Sequence, residues 1–202
     1  MTITVPGIPF GLESSEPWPW VATATGVSVT GKPHSDLFVN PGGEGAGDAS
    51  SMMNGVTLLG SLPEGDFTLT ARVRVDFRST FDAGVLLLWA DPDHWAKLCF
   101  EFSPLAEPMV VSVVTRQLSD DANGCVVAGN EVWLRIARIG RTLAFHSSVD
   151  GQVFSFARAF NLGVTPARIG FLAQSPTGEG CAVEFSDVEF SDRRLDDLRD
   201  GS

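Results

Sequence analysis

The chain has 202 residues, of which 44% are hydrophobic and 19% charged, and its 21 glycines and 12 prolines are scattered rather than periodic. This composition excludes a disordered, collagen-like or coiled-coil protein and fits one globular domain with a substantial core. With 14 Lys and Arg against 25 Asp and Glu, the formal net charge is -11. Because most of the surface would repel polyanions, neither nucleic acid nor a membrane is expected as a partner.

Alternation of apolar and polar residues at every second position predicts β-strands through most of the chain. The period is clear in 67–77, where apolar residues oppose threonines, arginines and an aspartate, and it recurs in 96–102, 132–138, 142–149, 168–174 and 182–190. The segment 83–90 is apolar at both parities, which predicts a central strand covered on both faces. After 142–149, the pair Asp150-Gly151 predicts a tight hairpin turn.

Eight or nine such strands, with no long helical pattern, imply an all-β fold, an antiparallel two-sheet sandwich or jelly roll. Two segments lack the period. Residues 40–55 are glycine-rich and long enough to be either a plain loop or a functional one. Residues 191–202 alternate Asp, Arg and Leu, which predicts a short amphipathic turn or a frayed end. We therefore expect a single domain at 1–190 followed by a charged tail.

The ends and the cysteines restrict location and chemistry. Residues 1–13 contain no Lys or Arg and are broken by Pro and Gly, unlike a secretory signal, so we expect a cytoplasmic protein. Cys99, Cys125 and Cys181 lack the short spacing of zinc and redox motifs and are expected as reduced, mostly buried thiols. Phosphate-binding loops and the G-x-S-x-G elbow are absent. No metal and no cofactor are expected.

Paired carboxylates of the kind that glycosidases use are not evident on any one strand. The acidic stretch at 184–189 comes nearest. A period of two places Asp187 and Glu189 on one face and Glu184 on the other, so we interpret this stretch as a solvent-facing strand.

Polar residues on predicted central strands form a candidate ligand site. Lys97 and Glu101 lie four apart, share a face opposite to Leu98, and could hold the two ends of a small polar ligand. We expect Lys97 to be mostly exposed and Trp95 to flank the rim of the site. The full set of candidate ligand-binding residues is Lys97, Glu101, Arg116, Arg135, His146 and Trp95. The alternative interpretation is a solvated strand face with cross-strand ion pairs and tryptophans in the core.

Segments between Asp66 and Phe190 resemble, in order, the DUF1349 family, which is grouped by name with a regulation-of-enolase protein in the concanavalin A-like lectin/glucanase superfamily. They are TFDAGVLL at 80–87, HWAK at 94–97, FE at 100–101, VVTR at 113–116, SD at 119–120, WLR at 133–135, SSVDG at 147–151 and GFLAQSP at 170–176, with a weaker SDLF at 35–38. The resemblance implies two curved antiparallel sheets, with a concave face on which superfamily relatives bind or cut glycans. It supplies no catalytic residues. The chain has no Tyr, so His146 stands where relatives often carry an aromatic residue.

Three functions follow from these patterns. The favoured one is a non-catalytic module that binds a saccharide or small polyhydroxy ligand on the concave sheet face. The first alternative is a carbohydrate-active enzyme with Glu101 as acid or base and Asp120 or Asp187 as its partner. The second is a regulatory domain that binds another protein through a sheet face or forms a homodimer.

Overall fold

A computed structural model describes residues 2–43 and 50–202, and over this part of the chain the regular structure is entirely β. The strands are β1 Thr2–Ile3, β2 Leu12–Ser14, β3 Val21–Ala22, β4 Val27–Thr30, β5 Lys32–Pro33, β6 Leu37–Phe38, β7 Met52–Met53, β8 Thr57–Ser61, β9 Phe67–Val75, β10 Ala83–Asp91, β11 His94–Phe102, β12 Pro108–Arg116, β13 Leu118–Val126, β14 Glu131–Ile139, β15 Thr142–Ser148, β16 Ser155–Phe160, β17 Arg168–Ser175 and β18 Ala182–Ser191.

Two large sheets form a sandwich, which confirms the predicted fold class. Sheet A has the order β1-β2-β8-β17-β10-β11-β12-β13, with β5 added in parallel to β17. Sheet B has the order β16-β15-β14-β9-β18-β4-β3, and β6 and β7 form a separate small pair. Within the described ranges, no helix is long and apolar enough to cross a bilayer.

The main core lies between the two sheets and follows the predicted period of two. On β9 the inward set, from Phe67 to Val75, is buried at every second position, while the intervening side chains are partly or fully exposed. Leu86, Leu98 and Phe100 of sheet A belong to the same cluster. Each buried aliphatic or aromatic side chain contributes about 1.5–3 kcal/mol, so this face of each strand is strongly specified.

The other face of sheet A carries a second apolar cluster. It contains Val85, Leu87, Trp95 and Leu172, and Leu37 of β6 is buried against it. The strand β10 is therefore covered on both faces and lies between β17 and β11, as the apolar run at 83–90 predicted. Residues 34–43 and 50–55, which carry β6 and β7 and are called the covering segment, cover part of this outer face of sheet A. The sequence pattern did not predict this cover.

Cys99 and Cys181 are buried and Cys125 is exposed, so most of the thiols are buried, as expected. Two other local predictions need correction. The hairpin at Asp150 has a longer connection than a two-residue turn, since β15 ends at Ser148 and β16 begins at Ser155. On β18, Asp187 adopts φ 49° and the register against β9 shifts beside it. Because of this bulge, Glu184 and Glu189 share a face, contrary to the period of two.

Candidate functional site

A cavity of about 370 Å³ opens on the outer face of sheet A. Its polar lining consists of Asp36, Lys97, Glu101, Asp121, Ser50 and Thr177, and its apolar lining of Phe38, Met52, Phe81, Val111, Val113 and Pro176. Apolar walls with a few convergent polar groups, at this volume, are typical of a small-ligand site. The ionisable groups come from β11, from β13 and from the segment before β6, while Ser50 precedes β7 and Thr177 follows β17.

Lys97 lies at the base of the cavity and is only 2% exposed. Its Nζ donates to Asp36 Oδ1 at 2.6 Å and to Gln174 Oε1 at 3.0 Å. Burial alone would lower the pKa of Lys97, but the carboxylate of Asp36 and the nearby Cys99 and Glu101 outweigh it and raise that pKa above its usual value. Lys97 is therefore charged, and its charge is matched by Asp36.

Asp36 is held by the segment that covers the sheet. Its backbone N–H donates to Asn54 Oδ1 at 3.1 Å, and its carbonyl O accepts from the backbone N–H groups of Asn54 and Gly55, both at 3.1 Å. Asn54 Nδ2 also donates to His34 O at 2.9 Å. These bonds join His34 and Asp36 to Asn54 and Gly55 within the covering segment. The ion pair between Asp36 and Lys97 therefore attaches that segment to sheet A.

Glu101 is opposite Ala83 and Met109 on the neighbouring strands and lines the cavity. Burial raises the pKa of its carboxyl to about 8; Lys97 opposes this rise, and Asp36 and Asp121 add to it. Among the described groups, none donates a hydrogen bond to this carboxyl. Near neutral pH it is mostly protonated and can both donate and accept a hydrogen bond.

Asp121 lies across the cavity on β13, in register with Val113 of β12. The residue reaches solvent at the mouth of the cavity, yet partial burial raises the pKa of its carboxyl, with Lys97 opposing that rise. Its neighbour Asp120 has the opposite parity and pairs with Arg158 at 2.8 Å. The site therefore uses the second of two adjacent aspartates.

Phe81 forms part of the apolar wall in a conformation that aromatic residues rarely adopt. Its φ is 68° and its side chain is 37% exposed. Buried Asp82 fixes the turn, because its carboxylate accepts the backbone N–H groups of Arg78 and Ser79, both at 2.9 Å, and the hydroxyl of Ser175 at 2.6 Å. A bulky residue with positive φ costs about 1–3 kcal/mol and persists only where its surroundings enforce it.

The structure brings together two of the predicted site residues. Lys97 and Glu101 share a face and line one cavity, as their even spacing predicted. The expectation that Lys97 is mostly exposed is wrong, because the covering segment buries it against Asp36. Trp95 shares that face but is 0% exposed, packs in the outer apolar cluster and donates its indole N–H to Pro92 O at 3.2 Å. It does not line the cavity.

The other three predicted residues lie elsewhere. Arg116 is exposed at the end of β12 and donates to Asn161 O at 3.2 Å. Arg135 and His146 belong to sheet B, where they contact the C-terminal segment: Arg135 Nη1 donates to Gly201 O at 2.8 Å, and His146 Nε2 lies 2.6 Å from Leu198 O. Strand period assigns a face but not a sheet, so the sequence could not separate Arg135 and His146 from Lys97.

Sequence reasoning missed Asp36, Asp121, Phe38 and Phe81 as cavity residues. Asp36 and Phe38 stood within SDLF at 35–38, and Phe81 within TFDAGVLL at 80–87. Both segments carried the family resemblance, but no periodicity connected them to the strand that contains Lys97.

A larger groove of about 610 Å³ lies along sheet B near β4 and β18. Its charged residues include Arg74, Asp76 and Glu184. The Arg74 and Glu184 side chains are about half exposed and pair with each other at 3.8 Å, and Arg74 also pairs with Glu131 at 3.3 Å. Solvated, mutually paired charges of this kind add little to ligand binding, so the cavity on sheet A is the better candidate site.

Comparisons with known proteins agree with the fold. A family model described as "Protein of unknown function (DUF1349)" matches residues 14–193. A functionally unknown protein from Saccharomyces cerevisiae has a TM-score of 0.75 at 22% identity, with 89% of this chain and 95% of that chain covered. No curated protein matches the chain by sequence.

Two further structures carry names connected with carbohydrates. Carbohydrate-binding module CBM66 from Bacillus subtilis has a TM-score of 0.55 at 13% identity, covering 90% of this chain and 95% of that chain. The GH43 BlXynB protein from Bacillus licheniformis has a TM-score of 0.64 at 12% identity, covering 81% of this chain but only 32% of that chain. At these identities the likeness is one of fold.

Proposed function

The chain belongs to the DUF1349 family, described as being of unknown function, and we propose that this member is a non-catalytic binding module for a saccharide or another small polyhydroxy ligand. The proposed binding site is the cavity on the outer face of sheet A.

The observation that carries the proposal is the combination of an aromatic wall and a buried polar base in one cavity. Sugar hydroxyls need both donors and acceptors, which a protonated Glu101 and the Asp121 carboxylate supply. The apolar face of a sugar ring packs on aromatic rings, and Phe38 and Phe81 line the same cavity. The fold shared with a carbohydrate-binding module and with a GH43 protein supports this proposal.

Lys97 has a positioning role in this proposal. Its ammonium is committed to Asp36 and Gln174, and its charge acts on Glu101 and Asp121 from the base of the cavity. It fixes the covering segment, which brings Phe38 and Met52 to the cavity. Glu101, Asp121 and Phe81 are the residues that we expect to contact ligand.

The proposal is tested by glycan-array screening of the labelled protein, followed by calorimetric titration with the glycans that are retained. Glu101→Ala should weaken binding at least tenfold, because a hydrogen bond to a charged or buried partner is lost. Glu107→Ala is the matched control, since Glu107 is exposed and does not line the cavity. Absence of saturable binding to every glycan, or equal affinity of Glu101→Ala and the unsubstituted protein, would contradict the proposal.

A second candidate function is hydrolysis of a glycosidic bond with Glu101 as the acid. The observation that favours it is the raised pKa of Glu101, about 8, beside the carboxyls of Asp36 and Asp121, because catalytic carboxyl pairs have environments that separate their pKa values. The earlier partners fit less well: neither Asp120 nor Asp187 lines the cavity. Release of nitrophenol from aryl glycosides, lost in Glu101→Gln, would establish this activity.

A further inference from the structure

We infer that the ligand of this cavity carries a protonated amine, so that the preferred saccharides are amino sugars with a free amino group. This inference rests on the proposed function and specifies its ligand class. Three features of the site support it: the charges around the cavity, a buried amide without a partner, and the aromatic wall.

The ionisable groups at the cavity leave an excess of carboxyls. Lys97 supplies one positive charge, and Asp36 matches it at 2.6 Å. Among the described residues Asp121 then has no ion-pair partner, and Glu101 is mostly protonated near neutral pH. Cys99 of the same strand is buried, which raises the pKa of its thiol well above the usual value, so it stays neutral.

The neighbouring elements do not supply the missing cation. The β12 residues that line the cavity are Val111 and Val113. Arg158 of sheet B reaches β13, but it pairs there with Asp120 at 2.8 Å. A ligand ammonium would compensate Asp121 through a charge-assisted hydrogen bond, which is about twice as strong as a neutral one. The carbonyl oxygen of the protonated Glu101 can accept a further hydrogen bond from the same ammonium.

Gln174 provides a second and independent observation. It is 1% exposed, and its Oε1 accepts from Lys97. Because an ammonium can only donate, the amide oxygen must face Lys97, and Nε2 is left buried without a hydrogen-bond partner among the described groups. A buried donor of this kind is costly unless a ligand or water satisfies it. Gln174 does not itself line the cavity, but Lys97, to which it is hydrogen-bonded, does. A ligand hydroxyl or a water held beside Lys97 would satisfy Nε2, which favours a ligand with hydroxyls as well as an amine.

The aromatic wall separates an amino sugar from a simple amine. Phe38 and Phe81 offer ring faces to the apolar side of a pyranose, and an ammonium near such a face also gains a cation–π contribution. Uronic, sulfated or phosphorylated sugars would place like charge against Asp121 and should be rejected. N-acetylation removes the ammonium and should remove most of the preference.

The test compares three matched oligosaccharides by calorimetry at pH 6 and low salt: β-1,4-linked glucosamine, the same oligomer fully N-acetylated, and β-1,4-linked glucose. We expect the free amine to bind at least tenfold more tightly than either of the others. Asp121→Asn should reduce this preference severalfold. Asp120→Asn is the control, because it changes the charge equally on the same strand but at a position of opposite parity, and it should leave the preference unchanged.

The outcomes separate this inference from the proposed function. If the acetylated or neutral oligomer binds as tightly as the free amine, the inference about the amine is wrong and saccharide binding stands. If the preference for the amine is unchanged in Asp121→Asn and in Glu101→Gln, these carboxyls do not recognise the ligand amine, and the inference is also wrong. If neither these oligomers nor any arrayed glycan binds, the proposed function is wrong and this inference falls with it.

Discussion

Replacing Glu101 by Gln should flatten the pH dependence of stability between pH 4.5 and 8. Burial raises the pKa of Glu101 from 4.5 to about 8, so the folded protein keeps a proton that the unfolded chain releases. Below pH 4.5 both states are protonated and stability is greatest with respect to this group. As the pH rises, ionisation favours the unfolded chain until the folded protein also ionises near pH 8, above which the loss is constant.

The size of this effect follows from the two pKa values. At about 1.4 kcal/mol per pH unit, a rise from 4.5 to about 8 corresponds to at most about 5 kcal/mol. Access of water to Glu101 through the open cavity reduces the expected loss to about 2–4 kcal/mol. A glutamine keeps the volume and the hydrogen-bonding groups but cannot ionise, so the variant should lack this part of the pH dependence.

The assay is urea denaturation followed by tryptophan fluorescence at pH 4.5, 6, 7 and 8.5. The difference in free energy of unfolding between Glu101→Gln and the unsubstituted protein should grow in favour of the variant by about 2–4 kcal/mol across this range. Exposed Glu107→Gln should change stability by less than about 0.5 kcal/mol at every pH. Parallel curves for Glu101→Gln and the unsubstituted protein would refute the burial of an ionisable Glu101.

Three further predictions address the neighbours of this carboxyl. Phe81→Gly should be about 1 kcal/mol more stable than Phe81→Ala, because glycine accepts the positive φ. Both variants should lower saccharide affinity at least fivefold in calorimetry, while the control Gln117→Gly, also at positive φ, should leave affinity unchanged. Lys97→Met should lower the free energy of unfolding, measured by urea denaturation, by about 3–5 kcal/mol, because it leaves Asp36 without its cation. Adding Asp36→Asn should recover part of that loss, and no recovery would argue against the ion pair. Arg135→Ala should increase amide hydrogen exchange at 198–202, since it removes the hydrogen bond to Gly201 O. Saccharide affinity should not change, and a loss of affinity would show that Arg135 contributes to the binding site.

The period of two predicted the strands and their faces because burial acts on every second residue. It placed Lys97 and Glu101 on one face and Leu98 on the other, and it identified 83–90 as a central strand. It could not predict the burial of Lys97, because that burial comes from Asp36 and its segment, about 60 residues away along the chain. A strand pattern records that a face is covered but not which segment covers it.

The remaining errors have separate physical causes. Arg135 and His146 have the polarity of site residues, but β14 pairs with β9, and β15 pairs with β14, in sheet B. Strand polarity alone contains no information on which sheet a strand joins. The bulge at Asp187 depends on one residue with positive φ. It places Glu184 and Glu189 on the same face of β18, whereas the period of two predicted opposite faces. Phe81 was missed because its role depends on the turn that Asp82 fixes rather than on a strand.

Mapping of backbone amide chemical shifts during titration with the tightest-binding arrayed glycan tests the central claim most directly. If the cavity on the outer face of sheet A is the binding site, the largest changes should fall at 36–38, 81–82, 97–101, 111–113 and 121, while 132–138 on sheet B should not respond. Changes concentrated on the outer face of sheet B, with 97–101 unaffected at saturation, would contradict the account.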